Sequence, residues 1–502
     1  MIKIINLAFC IVLLMFSNVI NAQTFEEYKK EQARKKAEFA KQQQKGMDNL
    51  AKEYKDYVQK RNLEYAKFLK GEWEERETQP ENNFYEDTKP DEIPYIAPQP
   101  DDERKEDRII PINPIVIEQV EVPKLPERKA PSSVDLPIEE DKAELIKIDF
   151  YGIYLEIPVD KDFKNIVSKG ISEENVADWL TKVANTNHLP SSTFIDEYIN
   201  ETGLNDWGRY IITKKLAERL TFDKTSQTLY TWFLILQSDY DVRLARQSNK
   251  IHLLIPFYQR LYEVPYLTIG EKDFYMIGDT DDEGIFTYNH QNNDINRSFD
   301  LNFSKAPKVA EKGHSTFLNF SYDDKEFSLE LEYDPVLVQM LRYQPQPYIT
   351  TYFSSKASVF LEESANKAIT KLLLEMDEHD AVNLLLRMVQ TAFAYKTDIE
   401  HFGKQKFMYP DEVVYHPFTD CDDRAVLFAW LVRNYTQQKV AALLYPGHLS
   451  AAVHFPQGNP QGDRLKLNYK EFVVSDPTYI NANIGQTMPQ FKNVNPEGWV
   501  VY

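Results

Sequence analysis

The sequence predicts an α+β protein. Apolar residues recur at helical steps between 173 and 236 and again from about 354 onward, whereas residues 250–353 alternate and turn as hairpin strands do. The third sign is length: 502 residues, 42% hydrophobic and 13% aromatic, suffice for two or three domains with at least one sizeable core. A net charge of −20 argues against a nucleic-acid partner, because phosphate binding needs clustered Lys and Arg.

Residues 1–22 read as a signal peptide. Lys3 gives the positive start, Ile4 to Phe16 is a nearly unbroken apolar run, and Asn21-Ala22-Gln23 offers a small residue before a polar stretch. The run is short for a membrane span, so no integral membrane segment is expected after cleavage. The address is export: periplasm, cell envelope or secretion. Cys10 would leave with the signal, and Cys421 would be the only thiol of the mature chain, with no cysteine to pair with.

Residues 23–75 are rich in Lys, Glu, Ala and Gln. Met47, Leu50, Tyr54, Tyr57, Tyr65 and Phe68 fall on one face of a charged amphipathic helix, a coiled-coil spacer or partner-binding segment on one reading and a surface helix on the other. Residues 76–144 form an acidic linker. Eleven of the 27 prolines fall between 79 and 144, a composition that favours extended, disordered chain. Folded structure resumes near Ala143, with a mixed α/β domain at 145–265, a β-rich region at 266–353 and a last domain at 354–502.

In the first of these, Leu145–Ile157 alternates as a strand. Helices are expected over Glu173–Ala184, Ser191–Glu201, Asp206–Leu220 and Gln227–Leu236, then a strand over Asp241–Ala245. In the β-rich region, Asp279, Asp281, Glu283 and Gly284 open with calcium-loop spacing, but His290 stands where the bidentate Glu belongs, so a hairpin turn is the better reading. No phosphate-cradling GxxxxGK, paired Cys or HExxH pattern occurs. No cofactor and no metal are expected.

In the last domain, helices are expected over Glu362–Met376 and from an N-cap at Asp380. The chemistry lies between Thr419 and Asp476. Asp420 can cap a helix whose first turn holds Cys421, where unpaired N–H groups and the positive helix end favour a thiolate. Asp420, Asp422 and Asp423 would oppose that charge unless turned away or paired. Val440–Leu444 and His448–Phe455 read as strands around a Tyr445-Pro446-Gly447 turn, and Glu471–Ser475 leads a third strand to Asp476. This brings a nucleophile, Cys421, a base, His448, and an orienting acid, Asp476, from three elements toward one point.

Asp420-Cys421-Asp422-Asp423-Arg424-Ala425 resembles the G-D-C-E-D-[KR]-[AS] segment of bacterial transglutaminase-like proteins. Gly447-His448 before an apolar strand is similar to their His strand, Asp476-Pro477-Thr478 to their D-P-T, and Ala392–Asp398 to the helix end before the loop. The resemblance covers roughly residues 360–490. It implies a papain-like fold and acyl transfer through a thioester: peptidase, amidase or Gln–Lys cross-linking activity. Thr419 replaces the frequent Gly, and Leu449-Ser450 follow His448 where Ala-Trp is common.

His454 lies about 20 Å further along the strand than His448, so only one of them can reach Cys421. His401 and His416 are loop residues that could line a cleft. The backbone N–H of Cys421 is one oxyanion donor, and Tyr415 is offered for the second. Upstream, Tyr230-Thr231-Trp232-Phe233-Leu234 to His252 loosely echoes Phe428-Ala429-Trp430-Leu431-Val432 to His448, with Asp223 near the cysteine position. Coincidence is the preferred reading, an inactive duplicate the other. Two function classes remain: an exported cysteine enzyme acting on peptide or protein amides, or a non-catalytic envelope or secreted interaction protein that keeps the fold.

Overall fold

The computed structural model describes residues 49–71, 73–79, 143–278, 284–289, 296–458 and 460–502. The expected signal peptide, most of the Pro-rich linker and the Asp279–Glu283 loop lie outside these. The described chain is α+β, and among its residues no helix is long and apolar enough to cross a membrane.

Residues 49–69 are helical, and this helix packs on its own protein. Its buried stripe is Ala51, Val58, Tyr65 and Leu69, while Leu50, Tyr54 and Tyr57 face solvent. The expected face was therefore set by residue size. The real one keeps Tyr65 of the expected residues and adds Ala51, Val58, Leu69 and buried Asn62, whose amide donates to Gln237 Oε1 at 3.0 Å. Tyr65 stacks on Trp232 with ring centroids 5.8 Å apart, and its hydroxyl donates to that of Tyr288 at 3.2 Å.

Two units that share a hairpin, three helices and a five-stranded sheet in the same order follow, each with further short elements of its own. The first opens with the hairpin Ala143–Phe150 and Ile153–Asp160, the second with His314–Tyr322 and Lys325–Tyr333. In the first, Leu189–Thr202 packs on the second hairpin strand and Asp206–Leu220 on the first. In the second unit, Val359–Leu373 and Glu378–Thr391 do the same. A third helix then covers a five-stranded arrangement: Lys224–Leu236 in the first unit, Cys421–Tyr435 in the second. The helix expected to be capped by Asp380 is capped instead by Asp377, which accepts from the N–H groups of His379 and Asp380.

Strand order across the first sheet is Ile285–Thr287, Arg243–Gln247, Lys250–Pro256, Lys272–Ile277, Tyr266–Ile269, with Glu74–Arg76 added outside Ile285–Thr287. Across the second it is Gly498–Val501, Lys439–Tyr445, His448–His454, Lys470–Val474, Arg464–Leu467. Both sheets are antiparallel and place their strands in the same order. The registers match as well. Gln247 pairs with Lys250 as Tyr445 pairs with His448, Leu254 with Met276 as Ala452 with Val474, and Ile269 with Lys272 as Leu467 with Lys470.

Two expectations are corrected by this. The boundary drawn at 265/266 cuts a sheet whose strands lie on both sides of it, and the hairpin at 314–333 belongs with the last unit. The upstream echo is also more than coincidence at the level of architecture. Its alignment was off by two residues, however: strand register sets Lys250, and not His252, in the place of His448.

Candidate functional site

Cys421 is the first residue of the helix Cys421–Tyr435, capped by a reciprocal pair in which Asp420 accepts from the Asp423 N–H and the Asp423 carboxylate accepts from the Asp420 N–H. Nearly every residue from Cys421 to Val432 is buried, as for a helix enclosed on all sides. His448 opens the next-but-one strand after a turn in which Gly447 has φ +68°, a conformation glycine adopts without strain. Asp476 follows the strand Lys470–Val474 by two residues.

These elements bring the three expected residues together. His448 Nε2 lies 2.7 Å from Asp476 Oδ2, and the Cys421 side chain is near enough to act on the charge of the same imidazole. Asp476 is fixed in turn: its Oδ1 accepts from the Thr478 N–H at 2.8 Å. Buried Gln390 donates from Nε2 to the carbonyls of Asp476 and Ala482, both at 3.1 Å. Phe491 covers the imidazole, centroids 4.9 Å apart and planes 9° from parallel.

Electrostatics favour an imidazolium here. Burial pushes the His448 pKa down, but the Asp476 carboxylate, the hydrogen bond to it and the Cys421 side chain outweigh burial and raise it to about 10. Burial pushes Asp476 up, yet the charge and hydrogen bond of His448 leave its carboxyl below the ordinary value.

The acids beside Cys421 are buried with one another. Burial, reinforced by Asp420, holds the carboxyls of Asp398, Asp422 and Asp423 well above the ordinary range. The cluster thereby sheds part of the negative charge that would oppose a thiolate. One oxygen each from Asp398, Asp420 and Asp422 lies within 4.8 Å of the others, an arrangement that could hold a small hard cation. The sequence reading, which expected no metal, missed this set because Asp398 comes from a separate helix, Asp398–Phe402.

Tyr395 was also missed. A short parallel pairing, Ala394 with Phe418 and Tyr395 with Thr419, carries it beside the start of the nucleophile helix. Burial and then the nearby Cys421, Asp420 and Asp422 push its hydroxyl far up, so it keeps its proton. The fully buried guanidinium of Arg424 sits 5.4 Å from its ring and donates to Thr419 Oγ1 at 3.0 Å and the Phe393 carbonyl at 2.9 Å. Tyr415, offered earlier as oxyanion donor, is instead 47% exposed and packs edge-on to Tyr333.

The other histidines are occupied elsewhere. His454 Nδ1 meets the Glu471 carbonyl at 2.8 Å. His401 Nε2 and His416 Nδ1 face each other at 3.2 Å, and burial holds His416 down at about 3. No protein family, curated protein or solved structure matches the chain.

Proposed function

We propose that this chain is an exported cysteine enzyme of the transglutaminase-like, papain-related type, acting on peptide or protein amides through a thioester. The single observation that carries the reading is the 2.7 Å contact of His448 Nε2 with the Asp476 carboxylate, on an imidazole whose charge Cys421 also favours. A helix bearing the nucleophile against an antiparallel sheet bearing the base is what a papain-like domain requires.

His448 takes the thiol proton, and the sulfur attacks the amide carbonyl. The oxyanion then meets the Cys421 N–H, unpaired at the helix start, and the Tyr395 hydroxyl. The imidazolium returns its proton to the departing amine, leaving an S-acyl enzyme. Water or a second amine, deprotonated by His448, attacks the thioester and restores the thiol. Asp476 fixes the ring and stabilises its charge throughout.

The test is alkylation of the folded protein by iodoacetamide, located by peptide mass spectrometry. Rapid modification of Cys421 that slows in His448→Ala supports the reading. A thiol that reacts only in denaturant would instead favour the second reading, a non-catalytic interaction protein, which the buried carboxylates around the sulfur recommend.

A further inference from the structure

The first unit repeats the architecture of the second without its chemistry. Asp223 caps the helix Lys224–Leu236 by accepting from the Ser226 N–H at 2.8 Å, as Asp420 caps the nucleophile helix. Counted from these caps Lys224 stands where Cys421 stands, and counted from Trp232 and Trp430 Asp223 does. Strand register puts Lys250 in the place of His448 and, two residues beyond the Met276 pairing, Gly278 in the place of Asp476. Neither a thiol nor an imidazole stands at these positions.

A cleft of about 520 Å³ opens at this spot, and Lys224, Lys250 and Gly278 all line it. A third cation, Lys214, joins from the helix Asp206–Leu220, against one acid, Glu218. All three ammonium groups are on exposed residues. Among the described residues none is in an ion pair; the Lys224 ammonium donates to the Gln227 amide at 3.1 Å and that of Lys214 lies over the Tyr210 ring. Between the cations the wall carries Thr225, Thr228 and Asn249 as neutral hydrogen-bonding groups and Ile251, Leu253 and Ile277 as apolar ones.

We propose that the first unit has exchanged the triad for a binding site, and that this cleft takes an acidic peptide segment, with Lys214, Lys224 and Lys250 meeting its carboxylates. The cations come from three elements around a cleft whose walls carry both hydrogen-bonding and apolar groups. That suits a short extended chain bearing several carboxylates better than one compact anion. The inference stands on the register and the cleft, and is independent of catalysis at Cys421.

The test uses full-length protein carrying Cys421→Ala, so that turnover plays no part. A fluorescein-labelled hexaglutamate peptide is titrated by anisotropy at low ionic strength. Saturable binding is expected, weakened about tenfold or more by Lys224→Gln with Lys250→Gln, and weakened by added salt. The exposed control Lys371→Gln on the other unit should leave it unchanged. Circular dichroism and thermal melting check that each variant is folded, and Lys250→Glu should abolish binding if charge is the cause. Four results would overturn the proposal: no saturable binding; equal affinity in the double-lysine variant; equal affinity for a hexaserine peptide; or displacement by millimolar inorganic phosphate as effective as by unlabelled hexaglutamate, which would mark a simple anion site. If Cys421 proves inert while hexaglutamate binds, the enzymatic reading fails and this one stands.

Discussion

Phe491 lies flat on the imidazole of His448, 4.9 Å between centroids, and meets Tyr445 on the same strand pair at the same distance. It comes from a short helical turn, Pro489–Phe491, near the chain end. A ring in that place limits rotation of the imidazole, and its π face favours the charged form. Such a contact is worth about 0.5–1.5 kcal/mol, so Phe491→Ala is expected to slow alkylation of Cys421 by three- to tenfold. Phe491→Trp should restore the rate. Equal rates in all three proteins would show that the ring only fills space.

The pair His448 and Asp476 sets the pH response. The imidazole is raised from 6.5 to about 10, so its stabilising contribution is complete below pH 6.5 and fades as pH rises toward 10. The Asp476 carboxyl is lowered, so its contribution is present above its ordinary value of 3.8 and is lost on acidification through the lower one. The contribution of this pair should thus be flat from about pH 5 to 6.5 and decline on both sides, on top of the fall with rising pH that the raised carboxyls of Asp398, Asp422 and Asp423 impose. In Asp476→Asn only Cys421 is left to oppose burial on the imidazole. The alkaline limb of Cys421 alkylation should move to lower pH, and any amide turnover should fall by about 10²–10⁴-fold. An unmoved alkaline limb would show that another group governs it.

How much of this was legible from sequence follows from how each residue reaches the site. Cys421, His448 and Asp476 were readable because each sits at an element boundary with a local signature: a capped helix start, a Pro-Gly turn, an Asp-Pro-Thr strand end. Tyr395, Gln390, Asp398 and Phe491 arrive by contacts between elements far apart in the chain. Nothing local distinguishes them from ordinary loop or core residues. The duplicated architecture was half visible in the Trp232 and Trp430 helices, but the eye paired histidine with histidine. Hairpin register, set by the turn, paired His448 with Lys250. The helix 49–69 erred for a related reason: large exposed aromatics drew attention away from Ala51 and Val58, which face the core.

In the proposed mechanism the Tyr395 hydroxyl is the second oxyanion donor. Loss of one such donor costs on the order of 10²–10³ in turnover for a strong oxyanion hole. Tyr395→Phe removes only that oxygen and leaves the ring against the Arg424 guanidinium. It is expected to lower kcat toward an acidic or neutral peptide amide with little change in KM. Alkylation of Cys421, which forms no oxyanion, should proceed at the parent rate. A parallel drop in both reactions would mean that the hydroxyl positions the sulfur and does not stabilise the intermediate.

The helix 49–69 tests whether the lead-in belongs to the folded body. Tyr65 is 7% exposed, stacked on Trp232 and hydrogen-bonded to Tyr288, and Arg61 pairs with Asp239 at 3.1 Å. Its ring thus closes the outer side of the helix Lys224–Leu236, which lines the lysine cleft on its other end. Tyr65→Ala deletes a buried aromatic and should cost about 3 kcal/mol of stability, read as a lower urea midpoint for the first unit. Arg61→Ala, a partly exposed ion pair, should cost under about 1 kcal/mol. A midpoint unchanged by Tyr65→Ala would show that the helix sits loosely on the surface, free to serve another partner.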